Sequence, residues 1–164
     1  MGEQLVVVGV DGSPASYTAL RWALAQAGRT DGRVRAVSCW MPVVARSWKE
    51  AVTAEPVPPV AEQQARAERE LAQIVAAAVA RVPKGAAPVA VLQSLVRGAA
   101  GQGLVRQAVG ADLLVIGHGH RWRELLHRSV SWYCVRHASC PVLVIPSGMD
   151  TRRTLIPVTA EVPG

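Results

Sequence analysis

Five short runs rich in valine, leucine and isoleucine recur along this chain, and segments with helical spacing separate them. The first run, Leu5 to Val10, is unbroken and contains four valines. A strand with one wet face alternates apolar and polar residues, so an unbroken run implies a strand covered on both faces. Val34 to Trp40, Ala87 to Leu95, Ala111 to Gly117 and Val142 to Ile145 continue the series, with Pro141 at the start of the last. Strands alternating with helices in this way fold as an α/β layer structure. A parallel sheet lies in the middle, helices cover both faces, and the crossovers are right-handed.

The intervening segments carry their own start and stop signals. Ser13 is placed to cap a first helix and Pro14 suits its first turn. Leu20, Ala23, Leu24 and Ala27 share one face of that helix, and Gly28 is the expected stop. Met41 to Pro59 holds four prolines and reads as a loop. Val60 to Val82 reads as a long amphipathic helix with Leu71, Ile74, Val75, Ala78, Val79 and Val82 inward, ended by Pro83 and Gly85. Ala100 to Val109 is a poorer helix, because Gly101 and Gly103 each cost about 1 kcal/mol relative to alanine. Trp122 to His137 is the fourth helix. Residues 1–146 are expected to form one domain and residues 147–164 a flexible tail, within which Thr154 to Val158 is a strand-like stretch.

Composition removes several function classes. A chain of 164 residues suits one domain, and 50% apolar with 18% charged residues is a globular balance. No apolar stretch approaches the ~18 residues of a membrane span. The N-terminus has acidic Glu3 where a secretory signal would be basic, so a cytoplasmic protein is expected. Cys39, Cys134 and Cys140 form no CxxC pair, which suits thiols in a reducing compartment. The net charge of +6 comes from scattered arginines without a basic run or interleaved aromatics, so nucleic acid is not an expected partner.

Parallel sheets bind ligands beyond the carboxyl ends of their strands, where strand order reverses. The residues so placed are Asp11-Gly12-Ser13, Cys39 to Met41, and the stretch "GHGHRWRELLHRSVSW" that starts at Gly117. Zinc would need several of His118, His120 and His127 to converge, yet no HExxH or CxxC supports them, and no metal ligand is assigned. Nucleophilic catalysis by Ser13 or Ser129 would need a base and a GxSxG elbow, and the sequence has none, so no catalytic residue is assigned. Cys39 and Cys140 read as core. Cys134, beside Arg136, is the thiol with an electropositive neighbour.

Three segments, "VVVGVDGSPASYTALRWAL", "GADLLVIGHG" and "RSVSWYCVRHASCPVLVIP", together resemble the universal stress protein family over about residues 4 to 146. The resemblance implies a five-stranded Rossmann-like sheet of order 3-2-1-4-5. It also implies a homodimer in which the last strands, Val142, Leu143, Val144 and Ile145, pair across a two-fold axis. Part of the family binds ATP, and the cofactor implied is ATP with Mg²⁺. The family's phosphate loop reads glycine, two residues, glycine, nine residues, glycine, then Ser or Thr. Its glycines let backbone N–H groups approach the phosphates. Carried over, Asp11 faces the nucleotide and the adenine meets the backbone near Cys39. Gly117 is the first loop glycine and Ser129 the closing hydroxyl, followed by Val130 and Ser131. The second glycine is Gly119, unless His120 has replaced it.

The loop departs from the family pattern in two ways. Gly117 to Ser129 is two residues shorter, and Arg128 stands where the last glycine belongs. Arg128 either fills the phosphate position or swings out to pair with an anion in bidentate fashion, and the shorter loop favours the first. The expected function is therefore a homodimeric, stress-related signalling or interaction protein with an unidentified protein partner and a vestigial or altered nucleotide site. Two alternatives stay open. One is an adenine-nucleotide sensor using the modified Gly117–Ser131 loop; the other is a slow nucleotide-hydrolysing enzyme.

Overall fold

The computed structural model describes residues 3–43, 57–83, 87–118 and 130–149. Strands and helices alternate through them: β1 (Leu5–Gly9), α1 (Pro14–Arg29), β2 (Arg33–Trp40), α2 (Val60–Val79), β3 (Ala90–Arg97), α3 (Ala100–Gln107), β4 (Leu113–His118), α4 (Val130–His137) and β5 (Val142–Pro146). The strands form one sheet of order β3-β2-β1-β4-β5, and every pairing is parallel.

The unbroken apolar run of β1 has the predicted cause. Its side chains alternate between two cores. Val6 and Val8 pack with α1 and α2, whereas Leu5 and Val7 pack against Leu104 and Ala108 at α3 and Cys134 of α4. Val6, Val7 and Val8 are all fully buried. Each contributes about 1.5–3 kcal/mol of transfer free energy, as an upper estimate. Asp112 fixes the register of β4 beside β1: its Oδ2 accepts the Leu5 N–H at 2.8 Å, and its own N–H donates to the Leu5 carbonyl at 3.0 Å.

Helix α1 starts as predicted but ends differently. Ser13 Oγ accepts the Ser16 N–H at 3.1 Å, an N-cap worth about 1 kcal/mol. Gly28 is not the stop. The helix runs to Arg29, Asp31 takes the left-handed conformation (φ 49°), and the Gly32 N–H closes back on the Ala27 carbonyl at 2.9 Å. An aspartate thus does the work usually given to a terminal glycine. The buried face of α1 is also wider than one stripe. Trp22, Ala15, Ala19 and Gln26 join the predicted residues, because the helix packs against both the sheet and α2.

The other elements shift by a few residues. Helix α2 ends at Val79, and Val79 itself is 44% exposed, while Leu71, Val75 and Ala78 are buried and Ile74 and Val82 pack on the core. Strand β3 covers Ala90–Arg97, not Ala87 to Leu95. At the sheet edge it has no fully buried residue, so its sequence carries weak contrast at both ends. Of the expected fourth helix, the described part is Val130–His137; residues 119–129 lie outside the described residues. Past β5, Met149 packs on the core, and residues 150–164, with the strand-like Thr154 to Val158, are again outside them. Among the described residues no helix is long and apolar enough to cross a membrane.

Gln63 of α2 holds together the two ends of the chain between β2 and α2. Its Oε1 accepts the Val43 N–H at 2.8 Å, and its Nε2 donates to the carbonyls of Val43 (3.0 Å) and Pro58 (2.8 Å).

Candidate functional site

Strand order reverses at β1, whose neighbours β2 and β4 lead to opposite sides of the sheet. Their carboxyl ends frame a crevice of about 90 Å³. Gly9, Val10 and Val37 form its floor, Ile116 and Gly117 one side, and Ala100 and Leu104 of α3 the other. Asp11, Ser16, Cys39 and Val130 complete the lining. A larger hollow of about 470 Å³ lies between Trp40, Val57, Pro58 and α2. The amide of Gln63 within it is spent on the protein's own chain. The crevice is the better candidate because strand geometry leaves backbone groups open to it.

That opening occurs at Cys39. Pairing of β1 with β2 stops at Gly9 and Val37, where the Val10 N–H donates to the Val37 carbonyl at 2.8 Å. β2 continues to Trp40 beside β3 alone, and the Trp40 carbonyl accepts the Gly98 N–H at 2.9 Å. In a parallel sheet successive residues send their backbone groups to opposite neighbours. Val37 addresses β1 and Trp40 addresses β3, so the N–H and C=O of Cys39 point to the crevice, beyond the last residue of β1. A donor and an acceptor side by side suit the edge of a heterocyclic base.

Asp11 stands at the mouth. Its Oδ1 accepts the Ser13 N–H at 3.0 Å, its own N–H donates to Ser16 Oγ at 3.3 Å, and the Ser16 hydroxyl donates to the Ser13 carbonyl at 3.0 Å. Gly12 makes this turn possible with a positive φ of 79°. Partial burial pushes the Asp11 carboxyl upward, but hydrogen bonds from the side chain and backbone of Ser13 and from Ser16 outweigh it and hold the group below the ordinary range. Asp11 is therefore an anion at the start of α1. A phosphate brought there would meet like charge, at a cost of about 4 kcal/mol for 4 Å separation near a surface. The helix start is already served by Ser13 and Asp11.

Gly117 has a structural task of its own. A Cβ built there would lie 2.3–2.4 Å from the carbonyl carbon and oxygen of Ala15 and the nitrogen of Ser16. The end of β4 thus rests directly on the first turn of α1. Val130 reaches the crevice and is 38% exposed, whereas Ser131 is buried at 6% and does not line it. Gly119, Arg128 and Ser129 lie outside the described residues, as do His120 and His127. His118 closes β4.

The thiols are held protonated. Burial raises Cys39, partly offset by Arg106, and its Sγ lies 3.7 Å from the Ala100 carbonyl. Cys134, which the sequence singled out for its arginine neighbour, is fully buried and pushed up to about 11, first by burial and then by Cys39. Its Sγ points at the Gly101 carbonyl, 3.9 Å away, so it is not a reactive site. Burial likewise raises Cys140.

Of the residues singled out in the sequence, Asp11, Cys39, Gly117 and Val130 line the crevice; Ala100 and Leu104 of α3, which the sequence reading did not single out, line it too. The signal was present in Gly101 and Gly103, read as helix-weakening. Gly101 lets Tyr133 of α4 approach, where a Cβ would lie 2.7 Å from its Cδ1, and Gly103 admits the Cys39 sulfur.

The fold and crevice define a doubly wound α/β protein with a cleft at its switch point, where such sheets bind ligands. The chain belongs to the universal stress protein family, whose model matches residues 4–146. It is 35% identical over 143 residues to a universal stress protein of Mycobacterium tuberculosis (strain H37Rv), covering 85% of this chain and 46% of that one. The chain thus spans about half the length of the curated relatives it matches. A family member from Burkholderia pseudomallei is similar in structure at 27% identity and TM-score 0.61, over 87% of this chain and 96% of that one. A universal stress protein solved in complex with cAMP superposes with TM-score 0.58 at 25% identity, over 88% and 98%.

Proposed function

We propose that the crevice takes the base of an adenine mononucleotide and that the chain acts as a non-enzymatic, stress-related signalling module with an altered phosphate grip. The observation that carries this reading is the backbone of Cys39, turned to an apolar crevice at the switch point beyond the reach of β1. The cAMP complex of a structural relative supports the ligand class. Asp11 is a poor general base, since its carboxyl is held low and engaged with Ser13.

The altered loop makes the ligand's length informative. Against the family's phosphate-loop pattern, Arg128 replaces a glycine that would let backbone N–H groups reach the outer phosphates of a triphosphate, and the loop is two residues shorter. Isothermal titration should therefore show AMP, cAMP and ATP with Mg²⁺ binding within about threefold of one another. Arg128→Gly should raise ATP affinity about tenfold, equivalent to one or two recovered hydrogen bonds. Absence of binding by all three nucleotides would replace this reading with a vestigial site, and multiple-turnover hydrolysis would replace it with an enzyme.

The assembly proposed is a homodimer through β5. The strand lies at the sheet edge, and Val142, Leu143 and Val144 are only half-buried within the protomer. Light scattering at micromolar concentration should give twice the chain mass; a monomeric mass would remove the proposal. Its three cysteines, all thiols, suit a reducing cytoplasm.

A further inference from the structure

Cys39 lines the crevice, and its side chain is turned toward α3. Its sulfur is tucked under α3, 3.7 Å from the Ala100 carbonyl. Directly opposite stands Gly103: a Cβ there would lie 2.6 Å from the sulfur and 3.2 Å from Val96 Cγ1. Val96 is the register partner of Cys39 on β3, so the thiol sits in a slot between α3 and the next strand. No side chain larger than hydrogen fits at position 103 without displacing something.

We infer that Gly103 is a positioning residue for the base site: its bare Cα gives the Cys39 thiol a place to rest and so keeps the sulfur out of the crevice. This inference rests on the nucleotide reading proposed above. Two movements could relieve a Cβ at position 103. Helix α3 could lift, or the thiol could rotate. Lifting α3 would undo several contacts at once. Leu104 is 4% exposed against the floor, with two methyl carbons 3.1–3.2 Å from where a Gly9 Cβ would stand. Ala108 is fully buried, Gly101 abuts Tyr133, and Arg35 Nη1 donates to the Gln107 carbonyl at 3.1 Å. Rotating the thiol changes a single torsion into another staggered well. A Cβ at position 103 would crowd both the sulfur and Val96, and the neighbouring space that Cys39 lines is the crevice. The thiol gives way, and it moves into the space of the base.

The test compares wild type, Gly103→Ala, Cys39→Ala and the double variant. Readouts are AMP calorimetry, maleimide labelling mapped by mass spectrometry, and melting temperature. Gly103→Ala should weaken AMP binding at least about tenfold. The double variant should bind within about threefold of Cys39→Ala, because the displaced atom is gone. Independently of any nucleotide, Cys39 in Gly103→Ala should label about tenfold faster than in wild type as it becomes exposed, with Cys134 still protected.

The outcomes separate the two ideas. If wild type binds no AMP, the nucleotide reading fails, and the labelling arm still decides whether Gly103 parks the thiol. If wild type binds AMP and Gly103→Ala binds equally well, the role of Gly103 is overturned while the nucleotide reading stands. Labelling of Cys134 together with Cys39 would mean that α3 lifts, which also overturns it. Should Gly103→Ala not fold, Cys39→Leu brings bulk to the same space from the strand, and undiminished AMP affinity in that variant counts against the inference.

Discussion

Replacing Gly117 with alanine should lower the melting temperature by about 10 °C in the absence of any ligand. The added methyl would stand 2.3–2.4 Å from backbone atoms of Ala15 and Ser16. Those atoms belong to the first turn of α1 and cannot rotate away as a side chain can. Either α1 tilts, disturbing a face that carries Leu20, Trp22 and Leu24, or β4 withdraws from β1. Overpacking of this kind costs about 3 kcal/mol, and a domain of this size loses about 2–4 °C for each. A glycine whose task was only to admit a phosphate would behave differently: its alanine variant would fold normally and bind poorly. Thermal unfolding of the apo protein followed by circular dichroism distinguishes the two. A melting temperature within 2–3 °C of wild type, less than about 1 kcal/mol of destabilisation, would assign Gly117 to the ligand and not to the packing of α1.

Trp22→Ala should be the most destabilising core truncation, costing about 3–5 kcal/mol. Trp22 is 1% exposed and the largest fully buried side chain among the described residues. It lies on α1 within the cluster that joins α1, α2 and one face of the sheet, so its removal leaves a cavity in the core that joins these elements. Such a loss is a large share of the roughly 5–15 kcal/mol that holds a domain together. Trp132→Ala gives the internal comparison: Trp132 is 47% exposed on α4, and its truncation should cost less than about 1 kcal/mol. Urea unfolding measures both. Equal shifts of the two midpoints would contradict the burial assigned to Trp22.

How much of this was legible in the sequence depends on the kind of contact involved. The central strands announce themselves because both their faces are buried, which makes apolar residues continuous. Their order came from the family resemblance and not from periodicity. β3 was misplaced by two or three residues because an edge strand with half-exposed faces leaves little contrast. Trp22 was passed over because a one-stripe reading of α1 does not anticipate a helix packed against both the sheet and α2. The glycines were the least legible. Gly28 carried the usual signal for a helix stop, yet Asp31 makes the turn. Gly101, Gly103 and Gly117 look alike in sequence, and their separate partners are Tyr133, Cys39 and the backbone of Ala15. Each of those contacts joins elements that are distant along the chain or lies across a turn, so no local pattern encodes it. The crevice lining was readable where it depends on topology, at Asp11 and Cys39, and opaque where it depends on such approaches.

Gln63 has a consequence for how this domain can vary. By binding Val43 and Pro58 through one amide, it ties the chain between β2 and α2 into a ring with a fixed waist. Inside such a ring each doubling of length adds only about 0.6 kcal/mol of closure entropy. The strand on one side and the helix on the other are joined at that waist by three hydrogen bonds. The waist makes this a natural port for grafted sequence, where the domain can gain new recognition elements without renegotiating its sheet.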